Sequence, residues 1–287
     1  MSGIPGRWRL TVVLLAVVSA VLAYPYQSTN DRWALGIAAA VVVASLLWWR
    51  GRFLTTIIGQ RIRVLLHRKP IQAAPADLRF TGADAVTTVL VRVDSGDREL
   101  PHRLLAGYLD RYGLLCDSVR VTTHTTQTDV TTWIGLTVSG ARNLSALQGR
   151  SAQIPLRETA ENAARRLIGH LREIGWTATI ADPDQIPDLV AKDARERWQS
   201  VTDARGHLTT YTAKTPEALA AATAAATESW TVVELAGTSP LDRIRVGAAI
   251  RTEDRPTAEL PGLVPITGRQ ANALAALHPL SGVRLVN

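Results

Sequence analysis

At 287 residues, 46% of them hydrophobic and 20% charged, the chain is too apolar for a disordered protein and longer than one average domain. A single cysteine, Cys116, excludes an internal disulfide framework and a cysteine-rich zinc ribbon. The net charge of +7 would ordinarily point to nucleic acid, but residues 1–70 hold nine basic groups against one acid, Asp31, while residues 71–287 hold 23 basic and 24 acidic groups. The basicity belongs to the N-terminal quarter, which argues against a nucleic-acid partner for the remainder.

Residues 1–52 read as a transmembrane hairpin. Between Arg9 and Asp31 lie 21 uncharged residues with an apolar core at about 10–26, and a second run of 17 uncharged residues, 33–49, lies between Arg32 and Arg50. A spanning helix needs about 17–25 such residues, and flanking arginines extend a short one by snorkelling. Backbone groups in hydrocarbon must be paired internally, so each run is expected to be a helix. The anchoring residues are Trp8, Arg9, Trp33, Trp48, Trp49, Arg50 and Arg52, since indole rings and arginines favour the headgroup region. The arginines sit mainly on the outer flanks, which places both termini and residues 71–287 in the cytoplasm, with the chain multi-pass in the plasma (inner) membrane. A cleaved signal peptide, with Val21-Leu22-Ala23 as the cleavage site, is the competing reading, and the second apolar run speaks against it.

Residues 53–70 form an expected basic amphipathic helix. Leu54, Ile57, Ile58, Arg61, Ile62, Leu65 and Leu66 recur at helical spacing, with Arg63 off the stripe. Such a helix either lies on the inner leaflet or docks on a partner, or it packs on its own domain.

Pro70 and Pro75 mark a linker. Beyond it, 86–93 is strand-like, 100–115 has a helical stripe, and 118–125 and 131–138 are strand candidates. A long helix is expected over 157–175 and a strand over 176–180. This order, β-α-β-β-α-β, is that of a ferredoxin-like unit over 71–181. After a connector, 182–206, a second half over 207–287 repeats the order: strand 207–214, helix 215–227, strands 230–236 and 242–250, helix 269–277 and strand 283–286. An offset of 110 residues aligns Ile154–Leu167 with Val264–Leu277, whereas the first strands align at 120. The fold class expected is therefore α/β, as two tandem ferredoxin-like halves or as a single Rossmann-like layer. Loops Ser139–Gln153 and Thr252–Leu263 fall at equivalent places and are candidate partner contacts.

Machinery for catalysis is sparse. None of Lys69, Lys192 and Lys214 follows the glycine that a phosphate-cradling loop needs, and no GxGxxG, HExxH or GxSxG occurs. Asp182-Pro183-Asp184 after a strand could hold a divalent metal against a nucleotide-sugar, or it could be a turn and helix cap. Cys116 with His124 could form a thiol–imidazole pair, or Cys116 could be a small core residue.

The two-helix hairpin ending WWRGR (Trp48–Arg52), the basic RIRVLLHRKP segment (Arg61–Pro70) and the ETAENAARRLIGHLREIGW stretch (Glu158–Trp176) together resemble the EccE family, a membrane component of the actinobacterial type VII (ESX) secretion system. The resemblance spans essentially the whole chain. It implies a non-catalytic subunit, without cofactors, of a complex with EccB, the ATPase EccC and EccD. A membrane-tethered, metal-dependent nucleotide-sugar transferase using Asp182 and Asp184, or a membrane-anchored ligand sensor, are the alternatives.

Overall fold

The computed structural model describes residues 48–49, 52–53, 85–94, 100–149, 155–224, 226–237, 244–254 and 260–285, and it comprises two units, Met1–His67 and Arg68–Asn287. In the first unit, β1 (Trp48–Trp49) pairs antiparallel with β2 (Arg52–Phe53). Trp48 faces Phe53 and Trp49 faces Arg52 in the ladder. The second apolar run therefore ends in a strand where helix is expected, in keeping with the strand preference of aromatic residues. The expected spans and the 53–70 helix otherwise lie outside the described residues. Among the described residues, no helix is long and apolar enough to cross a membrane.

The first described strand of the second unit is β3 (Val86–Asp94), whose buried Val89, Val91 and Val93 alternate toward one face. The helix expected over 100–115 breaks early. It becomes α1 (His102–Ala106), a 3-10 turn (Gly107–Leu109) and β4 (Asp110–Arg111). β4 folds back on β5 (Leu114–Thr126) through Tyr112 and Gly113, both at positive φ (58° and 70°). That is a two-residue hairpin turn of the type whose twist suits antiparallel strands. β6 (Val130–Ser139) follows, and the expected loop after it is a helix, α2 (Gly140–Gln148). The amide of Asn143 ties α2 back to β5, accepting from the Leu115 N–H at 2.8 Å and donating to the Leu115 carbonyl at 2.9 Å.

α3 (Leu156–Glu173) is the longest helix among the described residues. Leu156, Ala160, Ala164, Leu167, Ile168 and Leu171 are buried along one side, while Arg157, Glu161 and Arg165 pair at i, i+4 on the other. Gly175, at φ 82°, turns the chain into β7 (Thr177–Ile180). The expected connector is not structureless, since it holds β8 (Arg195–Glu196) and β9 (Val201–Asp203). Then come β10 (Gly206–Ala213), a 3-10 turn leading into α4 (Leu219–Ala224), β11 (Glu228–Leu235), β12 (Ile244–Thr252), β13 (Leu263–Pro265) and α5 (Gln270–Leu277).

The strands form one mixed-length sheet in the order β7-β3-β6-β5-β11-β12-β10-β9-β8, with β13 on the β10 edge and β4 on β5. Every ladder among the described residues of this unit is antiparallel, which excludes the Rossmann-like alternative, whose strands are parallel. α3 and the inward residues of β3, β5 and β6 bury one core (Val91, Val119, Ile134, Leu136, Leu167, Leu171). The opposite face of the sheet packs Trp133, Trp230, Val232 and Ala249 against Leu274 and Leu277 of α5, Leu189, and Leu285 near the C-terminus.

This arrangement corrects the expected full repeat in residues 207–287. Helices α3 and α5, aligned by the offset of 110, lie on opposite faces of the sheet. α5 also follows the edge strand β13 instead of preceding one, and Val283–Leu285 forms no strand. The apolar spacing that made the two helices look alike reports a buried side, not which face of the sheet receives it.

Candidate functional site

The two groups of strands meet where β5 runs beside β11, and the charge buried at that seam is the most constrained chemistry of the described residues. Arg120 and Glu234 stand opposite each other in the ladder and are 2% and 0% exposed. Because strand side chains alternate, both point to the face that α5 and the C-terminal segment cover, away from Val119, Val121, Val233 and Leu235. Arg120 Nη2 donates to Glu234 Oε2 at 2.8 Å and to the Val283 carbonyl at 2.7 Å. Nη1 donates to the carbonyls of Ala276 (2.9 Å) and Ser281 (2.8 Å), with His278 O further off at 3.5 Å. Glu234 Oε2 in turn accepts the Leu285 N–H at 3.0 Å. One guanidinium thus collects a carbonyl from the last turn of α5 and those of the non-regular segment after it, which have no helical or sheet partner. Burial pulls the Arg120 charge toward neutrality and Glu234 sustains it. Burial also lowers His278 to about 4, with Arg120 adding to the effect and Asp188 opposing it, so its ring is neutral at neutral pH. Its Nδ1 accepts the Leu280 N–H at 3.2 Å.

A second buried network lies on the same face. Arg251 Nε donates to Glu228 Oε2 at 2.6 Å, Nη1 to Asp203 Oδ1 at 2.7 Å, and Nη2 to the Leu189 carbonyl at 2.8 Å. Glu228 Oε1 lies 3.1 Å from both Trp230 Nε1 and His124 Nε2. The His124 ring stacks on Trp230 at 4.1 Å, and Trp230 stacks on Trp133 at 5.9 Å. Burial raises the Glu228 carboxyl, but the His124 hydrogen bond, the Arg251 charge and the Trp230 N–H together outweigh it and bring it down to about 2. Asp203 also accepts the N–H groups of Ala191 and Arg205, at 3.0 and 2.9 Å. The segment 189–205 is thereby strapped to the sheet. Both networks tie one piece of this chain to another, and the carboxylates in them are engaged by arginine.

The structure separates the residues singled out for chemistry. Asp182 Oδ1 accepts the Asp184 N–H at 3.3 Å and begins the 3-10 turn Pro183–Gln185, the capping arrangement. Among the described residues, no group of three or more histidine, cysteine or carboxylate side chains could hold a metal ion. Cys116 is 1% exposed in the core under α3, and burial, with Asp117 adding to it, pushes its thiol up to about 12. His124 belongs to the Glu228 network on the other face, so the two form no pair. Trp48, Trp49 and Arg52 lie in the β1–β2 pair. Trp8, Arg9, Trp33, Arg50, Leu54, Ile57, Ile58, Arg61, Ile62, Arg63 and Leu65 lie outside the described residues.

Sequence reasoning passed over Arg120, Glu234, Glu228 and Arg251. For Arg120 and Glu234 a signal was available: SVRVTT and TVVELA each place a charged residue inside a β-branched run, where a buried charge needs a partner.

Three comparisons bear on identity. A family model described as "Putative type VII ESX secretion system translocon, EccE" matches residues 126–213, from the end of β5 to β10. The chain is 46% identical over 297 aligned residues to the ESX-3 secretion system protein EccE3 of Mycobacterium tuberculosis (strain H37Rv), covering 98% of this chain and 87% of that protein. It is 41% identical over 285 residues to the ESX-3 secretion system protein EccE3 of Mycolicibacterium smegmatis, covering 96% of this chain and 89% of the relative.

Proposed function

Since the chain belongs to the EccE family of type VII (ESX) secretion components, we propose that it serves as a non-catalytic accessory subunit of such a system, anchored in the plasma membrane through residues 1–52. The observation that carries this reading is the partition of charge and chemistry. The N-terminal quarter holds nine basic groups around two long apolar runs. The sheet unit, by contrast, turns its buried charges inward on its own chain.

In this reading both termini and the 71–287 domain are cytoplasmic, the 53–70 helix lies along the inner leaflet or against a neighbour, and the neighbours include EccB, the ATPase EccC and EccD. We further read residues 71–181 as a ferredoxin-like unit. The order β7-β3-β6-β5 with α1 and α3 on one face supports it. Residues 207–287 extend that unit as a modified partner. A rigid sheet of this length suits a subunit that holds others in register, and no step of bond chemistry is needed.

Thiol labelling tests the anchor. Cys116 is buried, so the native chain is silent to a membrane-impermeant maleimide. In intact cells, Ser28→Cys, in the expected external loop, labels, whereas Thr128→Cys, in the exposed β5–β6 turn, labels only after lysis. Labelling of Thr128→Cys in intact cells would place the sheet unit outside and overturn the proposal.

A further inference from the structure

The β4–β5 hairpin and α3 border a half-open hollow of about 200 Å³. Arg111 holds its guanidinium carbon 5.1 Å from the Tyr108 ring and 5.2 Å from the Tyr112 ring, and Arg166 of α3 reaches the same Tyr112 ring at 4.4 Å. Two cations therefore converge on one aromatic ring. Of the other arginines along α3, Arg157 and Arg165 pair with Glu161 and Arg172 donates to the Ala178 carbonyl at 2.9 Å, while Arg142 of α2 pairs with Asp117. Among the described residues Arg111 and Arg166 have no carboxylate and no hydrogen-bond acceptor, only the ring faces. Stacking fixes a guanidinium and leaves its N–H edge available.

The surroundings fit an anion better than a cation. Glu173 acts on the Tyr108 hydroxyl from a distance but pairs with neither arginine. That hydroxyl lies 2.5 Å from His170 Nδ1, and burial raises it to about 12, so Tyr108 presents its ring rather than a charge. Asn162, whose side-chain carbonyl oxygen accepts from Arg165 at 2.8 Å, also lines the hollow. Tyr112 is 47% exposed and sits at φ 58°, in a turn position where asparagine or glycine is the easy choice. A strained, exposed tyrosine that gathers two unpaired arginines is a costly arrangement for packing alone.

We propose that this hollow binds the dianionic phosphoryl group of a phosphate monoester, gripped by the forks of Arg111 and Arg166, with the organic part against Leu114, Ala163 and the tyrosine faces. The volume, below the roughly 300–1,000 Å³ of ordinary small-molecule pockets, admits a phosphoryl group and a small body. The same chemistry is offered by a soluble phosphate ester and by a lipid with a terminal phosphate. The site is independent of the anchoring proposal, because its residues lie in the sheet unit.

Isothermal titration calorimetry on the full chain in mild detergent tests it, with phenyl phosphate and lysophosphatidic acid as probes and methanesulfonate as the monoanion control. The expected result is saturable binding of at least one phosphate monoester in the range of about 40 μM to 6 mM, the reach of two charge-assisted contacts. Binding of phenyl phosphate assigns a soluble ester, and binding of lysophosphatidic acid alone assigns a lipid. Arg166→Gln, at an exposed position that tolerates substitution, weakens binding by about tenfold or more. Arg111→Gln does the same, Arg111→Lys retains part of the affinity, and Arg157→Gln on the same helix changes nothing. No saturable binding of either ester, equal affinity for methanesulfonate, or an Arg166→Gln protein that binds like the wild type would overturn the proposal.

Discussion

Arg120→Met should loosen the C-terminal segment and destabilise the whole sheet unit. The replaced guanidinium satisfies Glu234 and the carbonyls of Ala276, Ser281 and Val283, each within 2.9 Å. Its loss leaves a carboxylate that is 0% exposed with only the Leu285 N–H for company. Removing one partner of a buried pair destabilises by about 3–5 kcal/mol, and for a unit of this size each kcal/mol shifts the melting temperature by about 2–4 °C. A fall of about 6–20 °C is therefore expected in a thermal melt of the full chain in detergent. The double variant Arg120→Met/Glu234→Leu removes the orphaned charge but leaves the three carbonyls unsatisfied, so it recovers only part of the loss. Carboxypeptidase digestion supplies the local readout: the single variant loses residues from the C-terminus faster than the wild type under native conditions. A melting shift below about 2 °C, with unchanged digestion, would refute the view that this pair fastens the segment.

Three further outcomes follow from the same geometry. The Glu228 carboxyl is held down at about 2 against 4.5 for the free side chain, so its contribution is complete above the unfolded value and is lost as pH falls from about 4.5 toward 2. Urea unfolding across that window should show a steeper loss for the wild type than for Glu228→Gln, and equal slopes would contradict it. At Gly206, φ is 114° and an added Cβ would come within 2.6 Å of the Thr252 carbonyl, whereas at Gly113, φ 70°, nothing lies within 4 Å. Gly206→Ala should thus destabilise by about 3 kcal/mol or more and Gly113→Ala by about 1 kcal/mol, a ranking that chemical denaturation can reverse. Asp182→Ala removes a cap and should lower stability by about 1 kcal/mol without changing Mn²⁺ titration of the full chain, whereas a lost Mn²⁺ site would revive the transferase reading.

How far the fold was legible depends on which signal each element carries. α3 announces itself through buried positions at helical spacing, and β3, β6 and β11 through runs of β-branched and aromatic residues. The helix expected over 100–115 failed because its stripe of Leu104, Leu105, Tyr108 and Leu109 is shared by a short helix and a 3-10 turn. Tyr112-Gly113 then acts as a hairpin turn, a role in which asparagine is easier to recognise. α2 escaped notice since its ties to the sheet run through the Asn143 amide and only a few apolar side chains. The faces assigned to α3 and α5 could not be read at all, because periodicity fixes which side of a helix is buried and not the direction from which the chain enters. Candidate chemistry fared similarly. Asp182 and Asp184 drew attention by adjacency, while Arg120 and Glu234, 114 residues apart, meet only through the β5–β11 register.

The central claim is that this chain works as a membrane-anchored part of a larger secretion assembly. Its most direct test is affinity purification of the full chain from membranes in mild detergent, followed by native-mass measurement and identification of what co-elutes. The account predicts a high-mass species containing other subunits of the secretion system, the ATPase among them. Recovery of the chain alone, at its own mass of 31.0 kDa plus detergent, would contradict it.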